Sequence, residues 1–211
     1  GHKPMTIPFR FSLNGKLGEP ISFMIDGQEA RSDALIILSK EETTLSIQPE
    51  NKNEVDELLS ATPSYLKGFS APIELVDDLT VEEHIHLVSF DNDPFVVWDS
   101  TQKLFGNVIL QEYVRKPDIE LELKLSNALL KSIERKKFND SFKALLLIPP
   151  SQSVLMSEVN NPDPPKVFFA KQDVVKRMSN KIKAYLQHRL DITKYDLALF
   201  DKSGRSLHNQ L

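Results

Sequence analysis

The sequence predicts a multidomain β + α chain, with an antiparallel β-sandwich over residues 1–91 and an all-α segment of stacked helix pairs over residues 92–211. Three observations carry this. Short apolar runs alternate with period two through the first ninety residues, the pattern changes once at Asp93-Pro94, and beyond it apolar residues recur at helical spacing between proline-containing breaks.

In "MTIPFRFSL", Met5, Ile7, Phe9, Phe11 and Leu13 share one face of a first strand. Pro8 within it predicts a sheet edge, where a missing N–H costs no ladder bond. "LNGKLGEP" offers Asn14-Gly15 turn chemistry before a second strand in "ISFMI". "ALIILS", "TTLSIQ", "GFSAPIEL" and "HIHLVSF" complete six or seven short strands, as a sandwich requires. Then Asp93 reads as an N-cap and Pro94 as the first helical residue, followed by Phe95, Trp98, Leu104, Phe105, Val108 and Ile109 at helical spacing. "IELELKL" alternates like a strand, but Leu125, Leu129 and Ile133 follow at spacings of four, which predicts extended chain entering a helix near Leu123. "DSFKALLLI", "SQSVLMSEV" and the long run from Lys166 to Leu190 supply further helices, separated at Pro149-Pro150 and "NNPDPP".

Composition narrows the function classes. No window reaches the run of about 18 apolar residues that a membrane helix needs, and the N-terminus lacks a secretory pattern. The absence of cysteine excludes disulfides, thiolate ligands and a cysteine nucleophile, and fits a reducing compartment. The expectation is a soluble, cytoplasmic protein with neither a membrane nor a nucleic-acid partner. The opening "GHKPM" reads as a tag remnant, residues 1–2, on a piece of a longer chain. The net charge of −4 hides an asymmetry, with 15 acidic against 7 basic side chains in residues 1–90 and 7 basic against 1 acidic in 164–190.

Two features look chemical. Glu82, His84 and His86 place carboxylate and imidazoles at close spacing, and on a strand the two histidines would share a face. A zinc site needs three or four donors, whereas His2, His188 and His208 are scattered, so His84 and His86 read as outward residues of the last strand, alternating with Ile85 and Leu87. Asp77-Asp78 and the Asp91, Asp93 pair read as turn and cap residues. His-Glu-x-x-His, Gly-x-Ser-x-Gly, Walker and dinucleotide motifs are absent, and seven glycines leave little for a phosphate loop. The basic helix has an apolar face of Val167, Val174, Val175, Met178, Ile182, Tyr185 and Leu186, so its lysines read as a solvated face. Trp98 reads as an anchor where the first helix meets the sandwich, not as a ligand platform. No catalytic, cofactor-binding or metal-ligating residue is assigned.

Three stretches resemble one family. "PMTIPFRFSLNGKLGEPI", "SYLKGFSAPIEL" and "NDPFVVWDSTQKLF" occur in the order and at the separations found in the bacterial alanyl aminopeptidases, the aminopeptidase N family of gluzincin zinc metallopeptidases. The resemblance implies an immunoglobulin-like sandwich, in which "GFSAPIEL" is a strand, followed by the start of an armadillo/HEAT-like helical-repeat segment. Val97 stands where the family has Arg before the Trp, and Pro94 and Ser100-Thr101 also depart from its pattern. The family's zinc ligands belong to an upstream domain with no counterpart here, so zinc is expected in the parent enzyme's absent catalytic domain and no cofactor in this fragment. "GRSLHNQL" resembles a helix that the family continues. The implied function is a non-catalytic scaffold and substrate-chamber portion of a zinc aminopeptidase that removes N-terminal residues from short peptides. Its partners would be the catalytic and N-terminal domains of the same polypeptide. The competing readings are a stand-alone immunoglobulin-like plus helical interaction module, and a small metal hydrolase using His84 and His86.

Overall fold

The computed structural model of the protein describes residues 5–192, without the side chains of residues 184–186 and 188–192. His2, His208 and the stretch 204–211 lie outside the described residues. About half of what is described is helical, accompanied by two small antiparallel sheets. The chain divides into two compact units, residues 1–97 and 98–211.

In the first unit, strand β1 (Ile7–Asn14) pairs antiparallel with β3 (Ala34–Leu38) and with β5 (Thr62–Tyr65), giving the order β3-β1-β5. A second sheet joins β2 (Phe23–Ile25) to β4 (Ile47–Pro49). The alternation of β1 dictates its inner face: Phe11 and Leu13 are buried with Ile21, Phe23, Ile25 and Ala34, and the Phe11 and Phe23 rings stack at 5.5 Å. Each such aromatic contributes about 2 kcal/mol of burial free energy, so this cluster is what holds the small sheets together. Met5, expected on the same face, is 80% exposed. Pro8 faces Ile37 of β3, whereas β5 pairs only with Phe11–Asn14, so the proline lies where the central strand has a single neighbour. Pro63 occupies the edge strand β5 for the same reason.

The first turn differs from expectation. Gly15 and Gly18 close it, with Gly18 N–H donating to Gly15 O at 3.0 Å, and the left-handed residue is Gly18 (φ 80°) instead of Asn14 or Gly15. Strands β1 and β2 then fall in different sheets, and the chain between them stays close to β1 through an Asn14–Pro20 bridge and the Ile21 N–H bond to Leu13 O at 2.9 Å.

Two expected strands are not strands. "GFSAPIEL" is the end of a 3-10 turn (Lys67–Phe69) followed by irregular chain, and the strand of this region is β5, just before it. "HIHLVSF" belongs to helix α2 (Val81–Phe90), which follows the one-turn helix α1 (Val55–Leu59). The reason is local. Thr80 accepts from Glu83 N–H at 3.2 Å while the Glu83 carboxylate takes Thr80 N–H at 2.7 Å, a reciprocal capping box, and His84, Leu87 and Val88 form the buried stripe.

Helix α3 (Pro94–Tyr113) starts where the sequence places it. The Asp93 carboxylate accepts from the N–H groups of Phe95 and Val96 at 3.0 and 3.2 Å, and Pro94 occupies the first helical position, where no N–H is needed. Its buried residues include Val96, Val97, Leu104, Phe105, Val108 and Ile109, while Phe95 and Trp98 are half-buried. Helix α4 (Ile119–Glu134) begins four residues before the expected Leu123, because Asp118 caps it by accepting Leu121 N–H at 2.9 Å. The alternation in "IELELKL" is coincidental: Ile119 and Leu123 are exposed, and Leu121, Leu125, Ala128 and Leu129 are buried. Helices α5 (Asp140–Leu146) and α6 (Gln152–Ser157) are capped by Asn139 and Ser151, and α7 (Pro164–Ile192) packs against α4 and α6 through Val167, Ala170, Val174, Met178 and Ile182. Among the described residues, no helix is long and apolar enough to cross a membrane.

Candidate functional site

The outer side of β1 should be solvated, yet Ser12 and Asn14 are buried there. They belong to a polar chain that ends at the start of α3. Asp33 binds Arg10 Nε at 2.7 Å and Lys67 Nζ at 3.0 Å, and Lys67 Nζ also donates to Ser12 Oγ at 3.0 Å. Ser12 Oγ donates to Asn14 Oδ1, and Asn14 Nδ2 donates to Asp91 Oδ2 at 2.6 Å. The other Asp91 oxygen accepts Asp93 N–H at 2.7 Å, and Asp93, besides capping α3, accepts Gly68 N–H at 2.8 Å. Burial alone would raise the Asp33 carboxyl, but the hydrogen bonds from Arg10 and Lys67 outweigh it and hold the group below its ordinary value.

The turn that reaches Asp93 is conformationally expensive. Leu66, Gly68 and Phe69 all have positive φ (53°, 64° and 52°), and two of them carry a Cβ. Each of those two costs about 1 kcal/mol or more. The bond from Gly68 to Asp93 and the tilted contact of the Phe69 and Phe95 rings, 4.9 Å apart, offset that cost. Together these contacts form a clasp that fixes where α3 begins.

The second unit contains a part-buried ion cluster around one fully buried carboxylate. Glu122 of α4 is fully buried and receives Arg177 of α7 through Nε at 3.1 and 3.2 Å and through Nη2 at 2.5 Å, while the same Nη2 reaches Glu112 of α3 at 2.6 Å. Hydrogen bonding to Glu122 pushes the guanidinium well above its usual value, so it stays charged at any working pH. One arginine thereby ties three helices together. In the same unit, α3, α4, α7 and the stretch 147–149 wall a cleft of about 390 Å³, lined by Phe105, Leu129, Ile148, Pro149, Met178 and Ile182, with Asn180 and Lys183 at its polar part. Its lining is mainly apolar, with the polar side chains of Ser179, Asn180 and Lys183, so it suits an apolar group.

The histidine pair does not converge. Two positions apart on a helix, the rings project about 200° apart. His84 Nε2 lies 3.3 Å from Asp77 Oδ1 in a buried contact, while His86 Nε2 meets Lys16 O at 3.2 Å and its ring packs on Phe90. They do not fit a zinc ion, and no group of three or more His, Cys, Asp or Glu among the described residues could hold a metal. Asp77 and Asp93 do serve as turn and cap residues. Of the basic residues of α7, Lys176, Lys181 and Lys183 are exposed, as expected of a solvated face. Three others are engaged within the unit: Lys166 lies over the Tyr113 ring at 4.3 Å, Lys171 donates to Pro150 O at 2.7 Å, and Arg177 is in the ion cluster. Burial lowers Lys171 below the usual lysine value.

Comparison with known proteins gives this geometry a context. The profile of a family described as "Domain of unknown function (DUF3458_C) ARM repeats" matches residues 81–211, more than half the chain, and its first residue is the first residue of α2. Aminopeptidase N of Caulobacter vibrioides is 29% identical over 154 residues, which are 73% of this chain and 17% of that protein. Aminopeptidase N of Haemophilus influenzae is 24% identical over 148 residues, 65% of this chain and again 17% of the relative. The chain thus spans about a sixth of the length of these relatives. The crystal structure of Legionella pneumophila aminopeptidase A in complex with aspartic acid superposes with a TM-score of 0.69 over 97% of this chain and 23% of that one, at 21% identity, which speaks for a shared fold. This chain belongs to the DUF3458_C family of ARM-repeat domains, and over its matched length it is similar to aminopeptidase N.

Proposed function

We propose that the chain is the non-catalytic, scaffold and chamber-forming portion of a zinc aminopeptidase that removes N-terminal residues from short peptides in the cytoplasm. The observation that carries this reading is the similarity to aminopeptidase N along 73% of the chain. In this reading the two small sheets, which share the Phe11–Phe23 core, are an immunoglobulin-like sandwich, and the helices are the first armadillo/HEAT-like repeats. The functional boundary lies at 91/92, inside the polar run Asp91–Asp93 that joins the sheet to α3. The sandwich spaces the catalytic domain from the helical wall, and the clasp fixes the first residues of α3. The helical wall closes the substrate chamber and admits only short peptides. Zinc and its ligands belong to a part of the polypeptide outside this chain, as do the catalytic and N-terminal domains that are its partners.

Sequencing the coding region upstream of Lys3 tests the proposal. A His-Glu-x-x-His motif several hundred residues upstream in the same reading frame is the expected result. A frame without it ends the aminopeptidase reading.

A further inference from the structure

The cleft of the helical unit keeps its apolar and polar groups apart, and the spacing of residues along α7 explains why. Val175, Met178 and Ile182 recur at intervals of three and four and form one apolar strip, which lines the cleft together with Phe105 and Leu129. Ser179 and Asn180 stand one turn before Lys183, at spacings of four and three, so the three polar side chains gather along the adjoining edge of the same helix. The walls are set in advance. Gln102 Nε2 donates to Ile148 O at 2.9 Å and Lys171 Nζ donates to Pro150 O at 2.7 Å, which ties the 147–149 stretch to α3 and α7. Phe105, Leu129, Met178 and Ile182 are themselves buried, whereas Ile148 is 41% exposed, an apolar side chain left for a ligand to cover.

Charge selects the ligand. The polar edge offers an ammonium, an amide and a hydroxyl, with no carboxylate among the described lining residues. A bound cation would meet the Lys183 ammonium, and a plain hydrocarbon would leave the polar edge unused. A carboxylate head on an apolar tail satisfies both sides. At about 30 Å³ for each non-hydrogen atom, the share of one water molecule in the liquid, the cleft takes about 13 such atoms, the size of octanoate or decanoate. We infer that the cleft binds a medium-chain fatty acid, with its carboxylate on Lys183 and Asn180 and its tail among Phe105, Leu129, Met178 and Ile182. This rests on the helical unit itself and holds whether or not the chain serves an aminopeptidase.

Isothermal titration calorimetry of the chain with octanoate reads the binding directly. One site per chain is expected, half-saturated at about 0.1–1 mM for a ligand of this size. 1-Octanol keeps the tail and loses the charge, so it should bind about fivefold more weakly or worse, and Lys183→Gln should weaken octanoate by a similar factor. Because Lys183 is exposed, that variant should keep the circular dichroism spectrum and melting temperature of the parent. Methyl NMR of methionine-labelled chain locates the site independently of any variant. Of Met5, Met24, Met156 and Met178, octanoate should move Met178 alone. No saturable binding up to about 10 mM overturns the inference. So does an affinity that neither 1-octanol nor Lys183→Gln lowers, or a response at another methionine while Met178 stays still. A tripeptide ending in leucine that displaces octanoate and binds more tightly also overturns it, and assigns the cleft to a peptide instead.

Discussion

Replacing Arg177 with methionine removes the one cation that Glu122 faces in the cluster and leaves a fully buried carboxylate beside the second carboxylate of Glu112. Breaking a buried pair from one side costs about 3–5 kcal/mol, because the remaining charge is uncompensated. The Arg177 side chain keeps 34% of its exposure and Glu112 keeps 19%, so water can partly screen the site and the expected loss lies at the lower end, about 3 kcal/mol. The single tryptophan, Trp98, belongs to the helical unit and reports its unfolding selectively when excited above the tyrosine band. Urea titration followed by Trp98 emission should therefore show the midpoint of Arg177→Met falling with little change in slope. The double variant Arg177→Met/Glu122→Gln should recover much of the loss, since no bare charge remains. A loss under about 1 kcal/mol, or a double variant no better than the single, would refute the assignment of this cluster as the tie among α3, α4 and α7.

Three further outcomes follow from the first unit. Asp93→Ala removes acceptors from Phe95, Val96 and Gly68, so it should cost about 1–2 kcal/mol and speed amide exchange at residues 68 and 95–96 before it affects β1; uniform acceleration across the unit would mean there is no clasp. Asp33 has a depressed folded value, so its contribution is fully present above the ordinary aspartate value of about 3.9 and is lost as pH falls through the lower folded value; Asp33→Asn should flatten the acid limb of the stability–pH curve in that window and not above it. Gly18→Ala forces an L side chain into a left-handed conformation and drives its Cβ against Phe90 O at the end of α2, for a loss of about 2 kcal/mol or more in thermal or urea unfolding; a neutral substitution would contradict the close approach.

The boundary of α3 was legible because its determinants are adjacent in sequence: Asp93 caps, Pro94 starts, and the apolar residues follow at helical spacing. Helix α2 was misread although its signal is just as local. The capping box of Thr80 and Glu83 outweighs the alternation of Ile85 and Leu87 with His84 and His86, because the same run also carries His84, Leu87 and Val88 at spacings of three and four, which is one face of a helix. The same competition hid the start of α4, where Asp118 is the cap and Glu122, between Leu121 and Leu123 in the alternating segment, is the most deeply buried acid among the described residues. The ion cluster could not be read from sequence. Glu122 and Arg177 are 55 positions apart, and nothing about either residue type announces the other. The polar chain from Arg10 to Asp93 is similarly non-local, since Asn14 and Asp91 meet across 77 positions. Only its last step, the cap, leaves a mark in the sequence.

Hydrolysis of an alanyl anilide tests the proposed role most directly, assayed with the isolated chain and with the longer polypeptide that contains it, each at matched concentration with added zinc. The longer polypeptide should release the anilide while the chain alone stays at the rate of buffer; turnover by the chain alone would contradict a scaffold role.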